Sequence, residues 1–355
     1  MNKLILIGNG FDLAHDLKTS YSHFMLWYLN KGFSQHRASL SFEDNLMEIA
    51  KMDSLSKEFK TLNDFQNTRK YGIVNFKNVF FEELINHTSL NNWVDIESKY
   101  YNSLTSLYKR LEASNYSQKA FSLILRELKD LNNCFNNIKI ELREYLMTID
   151  VVLDKKNEDI IGHLREKPSN SHAATRKTGI IEHCETHILN FNYTSTIENY
   201  LNKEEKNFVT NNYIHGKLDD EGNPIIFGYG DEMHQYYDKI EQLDLDEFLM
   251  HIKSFGYFKT TNYQNLANFI DSGPYNVHIM GHSCGLSDRV LLNSIFENDN
   301  CYKVKIFYHQ KNSTDNDYFE KTQRISRHFK ASSKGKMRTR IIPYSESVPL
   351  IKFKP

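Results

Sequence analysis

Proline is absent before Pro168, and between residues 11 and 178 glycine occurs only at positions 32, 72 and 162. A stretch that lacks both of the common breakers is suited to helices. Within it Phe121, Ile124, Leu128, Leu131, Phe135, Ile138, Leu142, Tyr145, Ile149 and Leu153 follow one another at steps of three and four. That stripe predicts one long amphipathic helix over 118–155. Leu104, Leu107, Tyr108 and Leu111 mark the end of an earlier helix, and Asn/Ser-rich breaks near 86–92 and 113–117 separate the pieces. The stripe can pack within the chain or pair two copies, so a homo-oligomer stays open.

The flanking sequence has another texture. Short apolar runs stand at 3–7, 187–191, 225–227, 276–280 and 303–308, each beside a turn or a helix start. Their length suits buried strands, and strands separated by helical stretches make a parallel sheet covered on both faces. The expected fold is therefore α/β: a Rossmann-like core of residues 1–20 and 180–355, with a helical insertion over 21–179 after the first strand. The polar stretch 168–178 is expected to be the exposed linker that leads back to the core.

Charge excludes several functions. There are 44 Lys and Arg against 45 Asp and Glu among 355 residues, which leaves no global field for nucleic acid or an anionic membrane. The segment 321–340 holds eight basic residues and no acid, and reads as a solvated surface or a phosphate or nucleic-acid patch. No run approaches the roughly 18 apolar residues of a membrane span. The four cysteines, at 134, 184, 284 and 301, form no CxxC pair, so neither a metal site nor a disulfide framework is encoded. Few thiols and no signal-peptide pattern give a cytoplasmic expectation.

Four segments could carry chemistry. Gly8-Asn9-Gly10-Phe11-Asp12 follows the first strand, where a glycine turn can offer backbone N–H groups to a phosphate, or merely turn the chain. Position 13 is Leu13, not the third glycine of a dehydrogenase fingerprint, and no P-loop lysine follows. Asn190-Phe191-Asn192-Tyr193-Thr194, with Glu198 beyond it, closes the second strand, and His215-Gly216 closes another short segment. An asparagine amide can hold a ribose hydroxyl or water, and a histidine can take its proton. Gly281-His282-Ser283-Cys284 follows a later strand, with Asp288 as either a helix N-cap or a ligand contact. His282 and Cys284 do not suggest a nucleophilic couple. In an open parallel sheet all these strand ends converge on one edge.

Taken together, these motifs resemble the bacterial abortive infection AbiH family. The resemblance runs from Leu4–His15 and Thr19-Ser20-Tyr21 through Trp93–Glu97, Phe191–Thr194, Ile214-His215-Gly216 and Ile226–Asp231. It continues through Gly281–Asp288 to Ile325–Phe329. It implies anti-phage defence, in which an infected cell arrests or dies. More distantly, the element order resembles the sirtuin-like NAD-binding fold. That likeness implies NAD as substrate and its hydrolysis to nicotinamide and ADP-ribose. It implies catalytic roles for Asn192 and His215. Gly8, Asn9, Gly10, Phe11, Asp12, Thr194, Gly281, Ser283 and Asp288 would contact the nucleotide. Thr194 stands where that fold has an acid, and the sirtuin cysteine quartet is missing, which argues against deacetylation. The expected partners are a small-molecule nucleotide and a phage-derived trigger, with no membrane, and nucleic acid is the less favoured partner. A nucleotide-sensing module without turnover is the alternative reading, and a nucleic-acid effector a third.

Overall fold

The computed structural model describes residues 1–50, 58–69, 74–86, 93–167, 184–202 and 209–353. The linker expected at 168–178 lies outside them. Eight strands occur among the described residues: β1 (Asn2–Ile7), β2 (Phe42–Glu43), β3 (Met47–Ile49), β4 (Val74–Phe76), β5 (Thr186–Asn190), β6 (Val209–Tyr213), β7 (Tyr275–Met280) and β8 (Cys301–Phe307). The chain divides into two compact units, one of 1–17, 150–226 and 253–355, the other of 18–149 and 227–252.

The first unit is α/β, with a five-stranded, all-parallel sheet flanked by helices in the order β6-β5-β1-β7-β8. Chain order therefore runs outward from β1 to β6, then returns across β1 to β7 and β8. This is the Rossmann-like doubly wound pattern, whose direction reverses between β1 and β7. As the central strand, β1 is buried on both sides. Leu4 and Leu6 enter one apolar core with Val277 and Ile306, while Ile5 and Ile7 enter another with Ile188 and Phe307. That double burial explains an uninterrupted apolar run where a half-exposed strand would alternate.

Two features of this unit differ from the sequence reading. Residues 225–227 form no strand, and the amide of Ile226 bonds the carbonyl of His215 instead. The sheet position is filled by β6, whose Val-Thr-Asn-Asn-Tyr sequence lacks an apolar run. It lies at the sheet edge, where polar residues are tolerated and blunt further pairing.

The second unit contains the helices Trp93–Ala113 and Gln118–Met147, joined by a short turn after Ala113. The rings of Tyr100 and Phe135 meet across the pair at 4.2 Å. The longer helix stops at Met147, not 155. Ile149 ends this unit, and Leu153 packs with Ile160 and Ile188 in the first unit. The apolar stripe thus serves two different cores, a division that periodicity does not show. The unit also holds the small antiparallel sheet β2-β3-β4, which the helical expectation for 21–179 missed because each strand has only two or three residues.

At the reversal point the loops after β1 and β7 touch backbone to backbone. The amides of Gly8 and Gly10 donate to the carbonyls of Met280 at 3.3 Å and Gly281 at 2.9 Å. Gly281 has φ +79°, and a side-chain carbon there would lie 2.1 Å from the Phe11 nitrogen. Gly281→Ala is therefore expected to cost at least about 3 kcal/mol in urea unfolding, through backbone strain and forced separation of the loops. Gly335, in the helix Lys334–Arg340, has open space around it. Gly335→Ala should be neutral or stabilise by up to about 1 kcal/mol.

Candidate functional site

The side chains described below belong to the first unit, except where Glu97 of the other unit is named. The loop after β1 bends at Gly8 and starts a one-turn helix, Asn9–Leu13. Phe11 is fully buried, with its ring against His15 and Tyr200, so it is a core residue. Asn9 is half-buried. Asp12 is 1% exposed and is held from the β5 loop. Asn192 Nδ2 donates to Asp12 Oδ1 at 3.0 Å and to the Gly8 carbonyl at 3.2 Å, while the Thr194 hydroxyl donates to Asp12 Oδ2 at 2.5 Å. Burial pushes the Asp12 carboxyl up to about 6, and the bonds from Thr194, Thr196 and Asn192 only partly oppose it. The buried donors are neutral, so no cation balances the charge.

The pattern fixes the Asn192 amide. Its nitrogen faces two oxygens, which leaves Oδ1 as an acceptor with no hydrogen-bond partner among the described residues. Thr194, at the position where the resembled fold has an acid, gives its hydroxyl to Asp12 instead. The acid in this neighbourhood thus comes from the β1 loop.

A second cluster surrounds Asp288. The residue occupies the N-cap position of the helix Arg289–Glu297, yet its side chain makes no capping bond. Asp288 Oδ1 instead receives Lys253 Nζ at 2.7 Å and His215 Nε2 at 3.1 Å, with His282 Nε2 at 3.7 Å from Oδ2. Burial alone would raise the Asp288 carboxyl, but the Lys253 ammonium and the His215 imidazole hold it well below the ordinary range. Burial, followed by the charge of Lys253, lowers His215 to about 4, against the pull of Asp288. His215 is therefore neutral at physiological pH. With Nε2–H directed at the carboxylate, Nδ1 carries the lone pair and has no hydrogen-bond partner among the described residues.

Phe191 separates and links the clusters. It adjoins Asn192 in sequence, and its ring lies 5.1 Å from that of His215 and 4.0 Å from that of His282. His282 in turn fills the space beside Gly8, where an added carbon would meet its Cα at 2.5 Å. The sequence-predicted residues therefore fall into an Asp12–Asn192–Thr194 group and a His215–Asp288 group. Gly8, Gly10 and Gly281 knit the loops between them. Because the Gly8 and Gly10 amides are bonded to the β7 end, a phosphate there would have to replace those bonds.

Ser283 is half-buried with no side-chain bond among the described residues. Cys284 is buried, its thiol is pushed up to about 12, and its backbone amide, not its sulfur, meets His282 Nδ1 at 3.1 Å. It is no nucleophile, and all four cysteines are free. Glu198 accepts from the Tyr213 hydroxyl and Lys217. In the other unit, Glu97 accepts the Gly228 amide at 3.3 Å, joining two of the motifs that carried the resemblance.

Sequence reasoning missed Lys253, Tyr257 and the role of His282. Tyr257 places its hydroxyl 3.4 Å from His215 Nε2. No local motif announces Lys253 or Tyr257, and only the fold brings them to Asp288.

Among the described residues no group of His, Cys, Asp and Glu is arranged to hold a metal ion, and no helix is long and apolar enough to cross a membrane. A cavity of about 110 Å³ opens elsewhere in this unit between Ile5, Ile188, Leu164, Tyr200, Lys156 and Arg165. It contains none of the site residues. Within 321–340, Lys321, Lys334 and Arg340 donate to backbone carbonyls, while Arg324 and Lys336 pair with Glu320 and Asp299. That segment is largely committed to internal structure.

The fold and the polar carboxyl edge of its sheet define an α/β protein of Rossmann-like architecture. Residues 4–310 match the family model described as bacteriophage abortive infection AbiH, and the chain belongs to that family. Its role is accordingly in abortive infection against phage. No curated protein and no solved structure matches it.

The carboxyl of Asp12 yields a pH prediction. Its folded value of about 6 lies above the ordinary 3.8. Its contribution to stability is therefore complete below about pH 4 and lost as pH rises through about 6, amounting to about 3 kcal/mol. Buried His187, His215, His278 and His328, all lowered, give an opposite slope common to the wild type and Asp12→Asn. The test is therefore the difference: in urea unfolding the stability of the wild type relative to Asp12→Asn should fall by about 3 kcal/mol from pH 4 to 7.5.

Proposed function

We propose that the protein acts in phage defence by cleaving the nicotinamide–ribose bond of NAD. One observation carries this reading: two acceptor atoms, Asn192 Oδ1 and His215 Nδ1, lack partners among the described residues, while the opposite end of each group is held by a buried carboxylate. Both follow strands at the carboxyl edge of a parallel sheet, the edge at which such folds take nucleotides. A ribose presents vicinal hydroxyl donors, which are the complement of such acceptors. The order Gly-Asn-Gly, Asn-Tyr-Thr, His-Gly along the chain, similar to sirtuin-like NAD-binding domains, supports the same ligand.

In this reaction the C1′–N bond breaks, its electron pair leaves with neutral nicotinamide, and water adds to C1′. The transition state is cationic at the sugar. Neutral His215 receives the proton of the water through Nδ1. Asn192 accepts from a ribose hydroxyl, and Asp12 supplies negative charge beside it above its pKa. Asp288 orients His215 and takes no part in bond making.

The alternative is a module that binds nucleotide without turning it over. The bonded Gly8 and Gly10 amides favour it, because a phosphate that must displace those bonds to bind would alter the loop contact and so report its presence.

Incubation with NAD, read by chromatography, tests both. The wild type, with a phage trigger where one is required, is expected to release nicotinamide. His215→Ala and Asn192→Ala should lose at least about 100-fold in rate with unfolding midpoints showing that the fold persists. Turnover retained in both variants removes the assignment. Tight binding by calorimetry with no nicotinamide released supports the sensing module instead.

A further inference from the structure

Lys253 has a side chain only 1% exposed, within a one-turn helix that no catalytic motif includes. Its Nζ lies 2.7 Å from Asp288 Oδ1, the oxygen that also takes His215 Nε2. A buried ammonium is costly unless paired, and replacing such an ion pair as a whole by well-packed apolar residues is often neutral or stabilising. The pairing therefore calls for a reason beyond packing.

We propose that Lys253 is a positioning residue for His215: by anchoring the shared Asp288 oxygen, it keeps Nε2–H turned inward and the Nδ1 lone pair turned outward. The functional meaning rests on the proposed role of His215 as a base, while the structural claim stands without it. A carboxylate beside an imidazole, with no cation to balance it, favours the doubly protonated ring. Imidazolium has N–H at both nitrogens and accepts nothing. With Lys253 in place the carboxylate is already paired, and a second positive charge at His215 would face the ammonium.

The other groups around His215 act in the same direction. The Tyr257 hydroxyl oxygen lies 3.4 Å from Nε2, where it can accept from Nε2–H, and Phe191 presents an apolar ring. His282 accepts the Cys284 amide at Nδ1, so its own proton is at Nε2, towards Asp288 Oδ2. One carboxylate is thus shared by an ammonium and two neutral imidazoles. An Asp–His pair without the lysine would make a stronger base that is protonated, and so unavailable, over more of the physiological range.

The test uses the full-length protein with ¹⁵N-labelled histidine, His215 being assigned by its loss in His215→Gln. In the wild type, long-range ¹H–¹⁵N spectra should show a neutral ring protonated at Nε2 from pH 5.5 to 8. In Lys253→Met the same ring should titrate about 1–3 pH units higher, and Lys253→Arg should restore the wild-type behaviour. A wild-type ring protonated at Nδ1 overturns the proposal without any variant. So does an unshifted titration in folded Lys253→Met. If circular dichroism shows Lys253→Met unfolded, Lys253→Gln replaces it, and an unshifted titration in that folded variant overturns the proposal. NAD turnover is measured on the same samples. The expected ring state without turnover sinks the hydrolase reading and spares the positioning role. Turnover with the opposite tautomer does the reverse.

Discussion

The site depends on the backbone contact between the loops that follow β1 and β7. Three glycines make it possible, since a side-chain carbon at position 8, 10 or 281 would fall within 3 Å of backbone on the other loop. Because the loops touch, Asp12 on one and His282 on the other have fixed places, and the helix carrying Asp288 begins close by. In a more open Rossmann-like crevice, a glycine turn leaves its amides for phosphate. Here the same residues mainly set the spacing of side chains between the loops and the neighbouring ends of β5 and β6.

Two buried carboxylates at this edge show how environment separates identical groups. Asp12 is surrounded by an amide and hydroxyls, so desolvation prevails and its proton is held to about 6. Asp288 is equally buried, but a lysine and two imidazoles keep it ionised. Opposite displacements of paired acids are a frequent mark of acid–base sites, although structural ion pairs produce them too. Geometry adds what the charges alone lack. Each carboxylate grips the inner end of a group whose outer end is an acceptor.

Much of this was legible in the sequence. The runs at 3–7, 187–191, 276–280 and 303–308 became β1, β5, β7 and β8, because strands buried on both faces must be continuously apolar. The edge strand β6 was hidden by its asparagines, and the run at 225–227 was apolar for another reason: Ile226 and Phe227 pack in cores without joining a sheet. The placing of Asn192, His215 and Asp288 at the carboxyl edge of the sheet was legible, because each follows a strand at a turn. Lys253 was not, because nothing near it in the chain distinguishes a buried lysine from a solvated one. Only the side of the fold on which it lands does so.

The exchange at position 194 carries the last step. An acid in the Asn-Tyr-Asp pattern would have stood beside Asp12, and two buried carboxylates in contact would have forced one to keep its proton at neutral pH. Threonine removes that repulsion and donates a hydrogen bond in its place. The carboxylate that Asn192 and Thr194 hold is then that of Asp12, ionised above about pH 6. Thr194 and Asp12 therefore form one hydrogen-bonded unit across 182 positions of sequence.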